Sequence, residues 1–227
     1  MVEVTKPLTL LAIETSSKAG SVALSHNDEV IERFAIMPRQ HAARMLSMTD
    51  ELLKSLDLTL ADIDGYVYSP GPGSFTGVRV ASAMIQGLHY TQPKPTLAVS
   101  MLASLAYQAY RTLNVREVLV ATDARMDECY VGQYRFDEKC GDMVALVDDA
   151  LISPDEFNWP AEGNYLCIGD GWHLHQDKWP STPANLTLTY ADEDFHPHAQ
   201  DLLALALSRW ATGDKVELAL PTYYRGF

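Results

Sequence analysis

A chain of 227 residues, 47% of them apolar, can bury one large core or two lobes, which excludes wholesale disorder. Seventeen Lys and Arg against 30 Asp and Glu leave a net charge of −13 with no basic cluster, which argues against direct binding of a phosphate backbone. Cys129, Cys140 and Cys167 are odd in number and lack Cys-x-x-Cys spacing, so they read as reduced thiols rather than a disulfide framework or zinc site.

In chain order, residues 8–14 read as a buried strand, followed by strands over 21–25 and 29–36 with a turn at Asn27 and Asp28. The acidic Glu3 and the short apolar stretch make the first residues a poor signal peptide. Residues 41–56 place Ala42, Met45, Leu46, Leu52, Leu53 and Leu56 at helical spacing. A strand over 66–69, a helix over 77–90, a strand over 96–99 and a helix over 100–110 then alternate, which implies an α/β layer with some parallel strands. The longest apolar helix pattern is interrupted by Arg79, Gln86 and His89, which argues against a membrane span. A cytoplasmic protein is the expectation.

The second half opens as the first does. An apolar strand over 118–123 ends in an acid, like 10–14, and strands over 128–136 and 143–152 follow. Residues 165–168 run into Gly169-Asp170-Gly171, an echo of 66–69 running into Gly71-Pro72-Gly73. The pattern predicts a duplication: an N-terminal α/β lobe over 1–110 and a smaller one over 111–227. A final helix over 197–210, started by Pro197, can pack back on the first lobe. Residues 154–190, rich in Pro, Trp and Gly, are expected to be irregular.

The run Ser69-Pro70-Gly71-Pro72-Gly73-Ser74-Phe75-Thr76-Gly77-Val78-Arg79 predicts a sharp strand-to-helix turn, with Thr76 as a cap for a helix starting near Gly77. It lacks the Gly-Lys-Ser/Thr of a Walker loop and the Gly-x-Gly-x-x-Gly of a dinucleotide fold, so its expected task is to aim the helix. That helix has Val78, Ala81 and Ile85 on one face, with Leu88 alongside, and Val80, Ala83, Met84 and Gly87 on the other. A helix apolar on two sides needs its own sheet and a second partner, unless it is wholly buried in the monomer. Val80, Ala83, Met84 and Gly87, with Met45, Met48 and Leu52 on the preceding helix, are the candidate partner-binding residues.

Other reactive side chains lack supporting neighbours. His41 reads as a surface or capping residue without co-ligands, and the His173/His175 and His196/His198 pairs as accidental spacings. Asp127 and Glu128 beside Cys129 would raise the pKa of its thiol, so it is a poor nucleophile.

In order along the chain, Leu11-Ala12-Ile13-Glu14-Thr15-Ser16-Ser17, Pro38-Arg39-Gln40-His41, the Gly71 to Arg79 run, Asp123-Ala124-Arg125 and Pro221-Thr222-Tyr223-Tyr224-Arg225 resemble the bacterial TsaB (YeaZ) family. Tyr224 departs from it, standing where a leucine is more usual. The resemblance implies a two-lobed actin/Hsp70/sugar-kinase-like (ASKHA) fold with duplicated mixed-sheet lobes. It implies a non-catalytic, activating subunit in formation of N6-threonylcarbamoyladenosine beside the tRNA anticodon. The catalytic subunit TsaD is the implied partner through these two helices, with the ATPase TsaE in a ternary complex. A homodimer through the same patch is implied when TsaD is missing, and contact with tRNA only indirectly.

In sugar-kinase-like folds, acids at the ends of the two first strands help hold metal-bound phosphates. Glu14, followed by Thr15 and Ser16, suits that role, whereas Asp123 is followed by Ala124-Arg125-Met126 without a glycine-hydroxyl turn. The pair reads as a vestigial cleft with no cofactor of its own, ATP or ADP entering only in the assembled complex. The catalytic relative carries a His-x-x-x-His metal pair where this chain has Met101 and Leu105, and no His-Glu-x-x-His occurs, so no metal is expected. The rival readings are a freestanding nucleotide-dependent phosphotransferase or metallopeptidase-like enzyme, and a tRNA-docking module.

Overall fold

The computed structural model describes residues 7–27, 29–191, 195–213 and 215–224. Glu3, Asp28 of the expected first turn and Arg225 of the C-terminal motif lie outside the described residues.

The first half runs β1 (Leu10–Glu14), β2 (Ala19–His26), β3 (Glu29–Ile36), α1 (His41–Lys54), β4 (Gly65–Tyr68), α2 (Phe75–Thr91), β5 (Thr96–Ala98) and α3 (Met101–Leu113). The second runs β6 (Glu117–Arg125), β7 (Glu128–Asp137), β8 (Asp142–Ile152), β9 (Gly163–Ile168), α4 (Gly171–Leu174), β10 (Leu186–Tyr190) and α5 (Ala199–Arg209). One sheet has the order β3-β2-β1-β4-β5, the other β8-β7-β6-β9-β10. In each, the first strand is central, antiparallel to the second and parallel to the fourth. The duplication inferred from the sequence is therefore a duplication of topology, two mixed five-stranded sheets in an α/β fold.

Side chains alternate across a strand, so each central strand feeds two cores. Leu10 and Ala12 of β1 join Val118 and Val120 of β6 in a central cluster, with α3 and α5 between the sheets. Leu11 and Ile13 point outward under α1 and α2. Leu119 and Ala121 point outward into the second half's own cluster, beside Cys129, Cys167 and Trp172.

The helices between the sheets trade places. α3, built by the first half, packs on β6, β7 and β8, whereas α5 packs on β1 and β2. Arg111 of α3 grips Asp201 of α5 with two parallel bonds, Nε to Oδ1 at 2.6 Å and Nη2 to Oδ2 at 3.1 Å. The first sheet also caps α5: Ala199 N donates to Ser21 Oγ at 2.8 Å and Gln200 N to Glu32 Oε1 at 3.1 Å. Pro197 does not start this helix. His198 is the N-cap, held by Glu32 Oε2 at 2.7 Å from its Nδ1 and stacked on Phe34.

Residues 154–190, expected to be irregular, hold β9, α4 and β10. Aromatic packing substitutes for periodicity there: the Phe157 ring meets Trp159, Trp172 and Trp179 edge-on, at 4.9 to 5.5 Å. The two halves differ most at this outer layer. Where the first has the 17-residue α2, the second has the four-residue α4.

Asp201 is fully buried, so removing its partner would strand a carboxylate. Arg111→Ala is expected to cost about 3 kcal/mol, read as a lower urea midpoint. An unchanged midpoint would show that the helix pair holds without the bridge.

Candidate functional site

The turn before α2 is packed against the end of β1. Ser74 N donates to Ser16 O at 2.7 Å, and Thr15 Oγ1 donates to Gly77 O at 2.8 Å. A Cβ placed on Gly73 would lie 2.5 Å from Ser16 O, and one on Gly77 only 1.9 Å from Thr15 O. The space these glycines leave is filled by the chain's own backbone. The turn aims the helix by close approach, and the residues present offer a phosphate no cradle here. The cap is Ser74 rather than Thr76: its hydroxyl accepts from Gly77 N at 3.3 Å, and the helix starts one residue later, at Phe75.

α2 buries Val78, Ala81, Ile85 and Leu88 against the first sheet. Its opposite face runs through Thr76, Val80, Ala83, Met84, Gly87 and Tyr90. Thr76, Ala83, Gly87 and Tyr90 are exposed, Tyr90 at 89%, while Val80 and Met84 are half-buried. A Cβ at Gly87 would meet nothing within 4 Å. The helix thus carries an apolar, small-residue stripe that the described residues leave partly uncovered. On α1 the expectation needs correction. Met45 and Leu52 are fully buried and Met48 is nearly so, all three in the core beneath the helices. They have no surface to offer a partner, because that apolar side of α1 is needed to cover the sheet. The outward apolar residues of α1 are Ala42, Ala43 and Leu46, the last 60% exposed.

The C-terminal segment runs back along this lobe, which nothing in the sequence pattern signals. Val216 N donates to Thr96 O, Gln86 Nε2 to Ala219 O, and Thr222 N to Pro70 O. The Tyr68 hydroxyl both donates to and accepts from the Leu220 backbone at 3.0 Å. The segment ties the end of β4 to one flank of α2.

Glu14 is fully buried at the tip of β1. Its Oε1 accepts from Ser16 N at 2.5 Å, while Oε2 and Ser16 Oγ make no hydrogen bond of normal geometry among the described residues. Burial raises the carboxyl pKa to about 7; the Ser16 and Ser69 hydroxyls and the Thr15 and Ser16 amides pull it down by less. Asp123 lies near the end of the equivalent strand of the other sheet, at a shift in its register with β7, and is committed to local structure. Its Oδ1 accepts from Arg125 N at 3.1 Å and lies 3.2 Å from His175 Nε2, and its own N donates to Asp170 Oδ1. The vestigial candidates Glu14, Thr15 and Ser16 thus share one turn, and Asp123 belongs to a separate network.

His41 is neither a cap nor a surface residue. It is buried and its Nε2 lies 2.9 Å from Ala19 O, tethering α1 to β2. Met101 and Leu105 are buried in the central cluster at the start of α3. Burial raises the Cys129 thiol to about 12, with the Asp123 and Asp170 charges adding to it, so the adjacent Asp127 and Glu128 are not the cause. Among the described residues no group of three or more His, Cys, Asp or Glu is placed to hold a metal, and no helix is long and apolar enough to cross a membrane.

Residues 30–177 match the family model described as TsaD: tRNA N6-adenosine threonylcarbamoyltransferase. The chain is 35% identical over 224 residues to the Escherichia coli protein named tRNA threonylcarbamoyladenosine biosynthesis protein TsaB, covering 96% of this chain and 95% of that one. A Haemophilus influenzae protein of the same name is 34% identical over 187 residues, covering 79% and 78%. YeaZ from Pseudomonas aeruginosa superposes with a TM-score of 0.86 at 40% identity, covering 95% of this chain and 99% of that one.

Two measurements check the site's physics. Gly77→Ala drives a methyl into the Thr15 carbonyl and should cost several kcal/mol, whereas Gly87→Ala, in open space, should stabilise by up to about 1 kcal/mol; equal denaturation midpoints would refute the packing described. Glu14 has a folded pKa of about 7 against 4.5 when exposed, so its stabilising share is complete below pH 4.5 and lost as pH rises through 7. The loss amounts to about 3 kcal/mol. Glu14→Gln should therefore flatten the fall in stability across that window and exceed the parent above it; parallel pH profiles for the two proteins would contradict this.

Proposed function

Because this chain belongs to the TsaB (YeaZ) family, we propose that it serves tRNA threonylcarbamoyladenosine biosynthesis as a non-catalytic, activating subunit that binds a TsaD-like catalytic subunit through the outer face of α2. The observation that carries this reading is the apolar stripe of α2, with Ala83 and Gly87 exposed and Val80 and Met84 half-buried, together with the exposed Leu46 of α1. Small residues let a second helix approach closely, and an apolar face left open by its own fold gains stability when a partner dries it. A TsaD-type model matches this chain across both lobes, so partner and chain share a fold and can offer one another related helices. Without that partner, a second copy takes the same place.

The proposal that chemistry resides in the partner has its own support. The positions of the expected metal pair, Met101 and Leu105, are core residues. The glycine turn is filled by backbone, and both strand-end acids are committed, Glu14 to burial and Asp123 to its network. ATP or ADP, the TsaE-like ATPase and the tRNA then belong to the assembled complex, in the cytoplasm, with a chain of net charge −13 reaching tRNA only through its partner.

The test is reconstitution. The catalytic and ATPase subunits with tRNA, ATP and threonylcarbamoyl-adenylate as the group donor should yield threonylcarbamoyladenosine only when this chain is added. Gly87→Glu would set an unpaired carboxylate in the contact at a cost of about 3–5 kcal/mol, so light scattering should show the folded variant unpaired and the reconstituted reaction silent. Full modification without this chain, or turnover by the chain alone, overturns the proposal.

A further inference from the structure

The pairing described above makes no use of a cluster at the rim of the stripe. Arg79 is the only lysine or arginine in α2. Its guanidinium carbon lies 3.5 Å over the Phe75 ring and 5.4 Å from the centre of the Tyr223 ring, and its Nε donates to the Tyr223 hydroxyl at 2.8 Å. Phe75 is 53% exposed and Tyr223 43%. Three long side chains are thus held in fixed relation on the surface, where ordering costs rotamer entropy and little area is buried in return.

Among the described residues Nε is taken by Tyr223, the terminal Nη groups have no protein hydrogen-bond partner and Arg79 forms no ion pair, in a chain with 30 acidic residues. α2 contributes no Asp or Glu of its own. Arg79 is exposed, one helical turn from Ala83 and next to Val80 in sequence, so its position on α2 adjoins the apolar stripe, while its guanidinium lies over Phe75 one turn earlier. A planar fork clamped by aromatic groups is preorganised for a carboxylate, which it binds with two parallel bonds.

We propose that Arg79 is the charge anchor of the subunit contact, receiving an Asp or Glu side chain of the catalytic partner while the stripe beside it is dried. This rests on the reading of α2 as the partner face. A nucleic-acid phosphate is the other anion of suitable geometry, but the −13 charge repels it and the adjoining stripe is apolar, which suits a protein.

The experiment titrates the full-length parent, Arg79→Gln, Arg79→Lys and Gly87→Glu against the purified TsaD-like subunit at low and high salt. Arg79→Gln should weaken binding about tenfold at low salt, the gap closing as salt rises, with Arg79→Lys between the two. Its thermal midpoint should match the parent's, since Arg79 is exposed. Parental affinity and salt dependence in Arg79→Gln overturn the anchor. So does a variant that keeps its affinity for the partner but loses retention of tRNA by the assembled subunits, which would assign the guanidinium to phosphate. Gly87→Glu separates the two readings. If it abolishes binding while Arg79→Gln is silent, the stripe stands and the anchor falls; if both bind as the parent does, both fall.

Discussion

A five-stranded sheet with parallel strands at its centre is apolar on both faces, and each face must be covered. The whole architecture follows from meeting that need four times in one chain. Exchanging α3 and α5 covers both inner faces at once, because each helix lies on the sheet built by the other half. The exchange leaves no lobe able to complete its core alone. The Arg111–Asp201 bridge and the capping of α5 by Ser21 and Glu32 then fix the angle at which the halves meet.

The outer faces are covered by different means, and here the two copies diverge. In the second half a short helix, a 3-10 turn and a cluster of tryptophans close the face inward. In the first half two long helices do so, and a long helix has a far side. α2 shows on that side the residues of a helix meant to be covered: alanine, methionine and glycine where charge would be expected. One half therefore closes its outer layer inward, and the other leaves apolar residues exposed on α2.

How much of this the sequence discloses depends on the range of the physics involved. Buried strands are apolar runs between turn residues, so the strands up to β9 and the repeat of their order are legible, whereas β10, an edge strand with mostly uncovered side chains, is not. The division of α2 into an inner face at Val78, Ala81 and Ile85 and an outer one at Val80, Ala83 and Gly87 is also legible, since both depend on a period of 3.6. On α1 the same reasoning fails: Met45, Met48 and Leu52 form one apolar side, and periodicity cannot say whether that side meets the chain's own sheet or another molecule. The sequence points to Thr76 as the cap, where the structure has Ser74, because Phe75, a bulky residue after a glycine run, does not announce a first helical position. Arg79 and Tyr223 are 144 residues apart, a contact that no local pattern encodes.

The glycines tie these threads to function. In a phosphate loop, glycine leaves room for a ligand; here Gly73 and Gly77 leave room for Ser16 and Thr15. The same substitution of backbone for ligand seals Glu14 beneath the turn, where burial holds its carboxyl near neutrality. These contacts lock the start of α2 to the tip of β1. Rigidity there matters because the outer stripe begins within one turn of Gly77, and a helix fixed at its root presents its far side in one orientation.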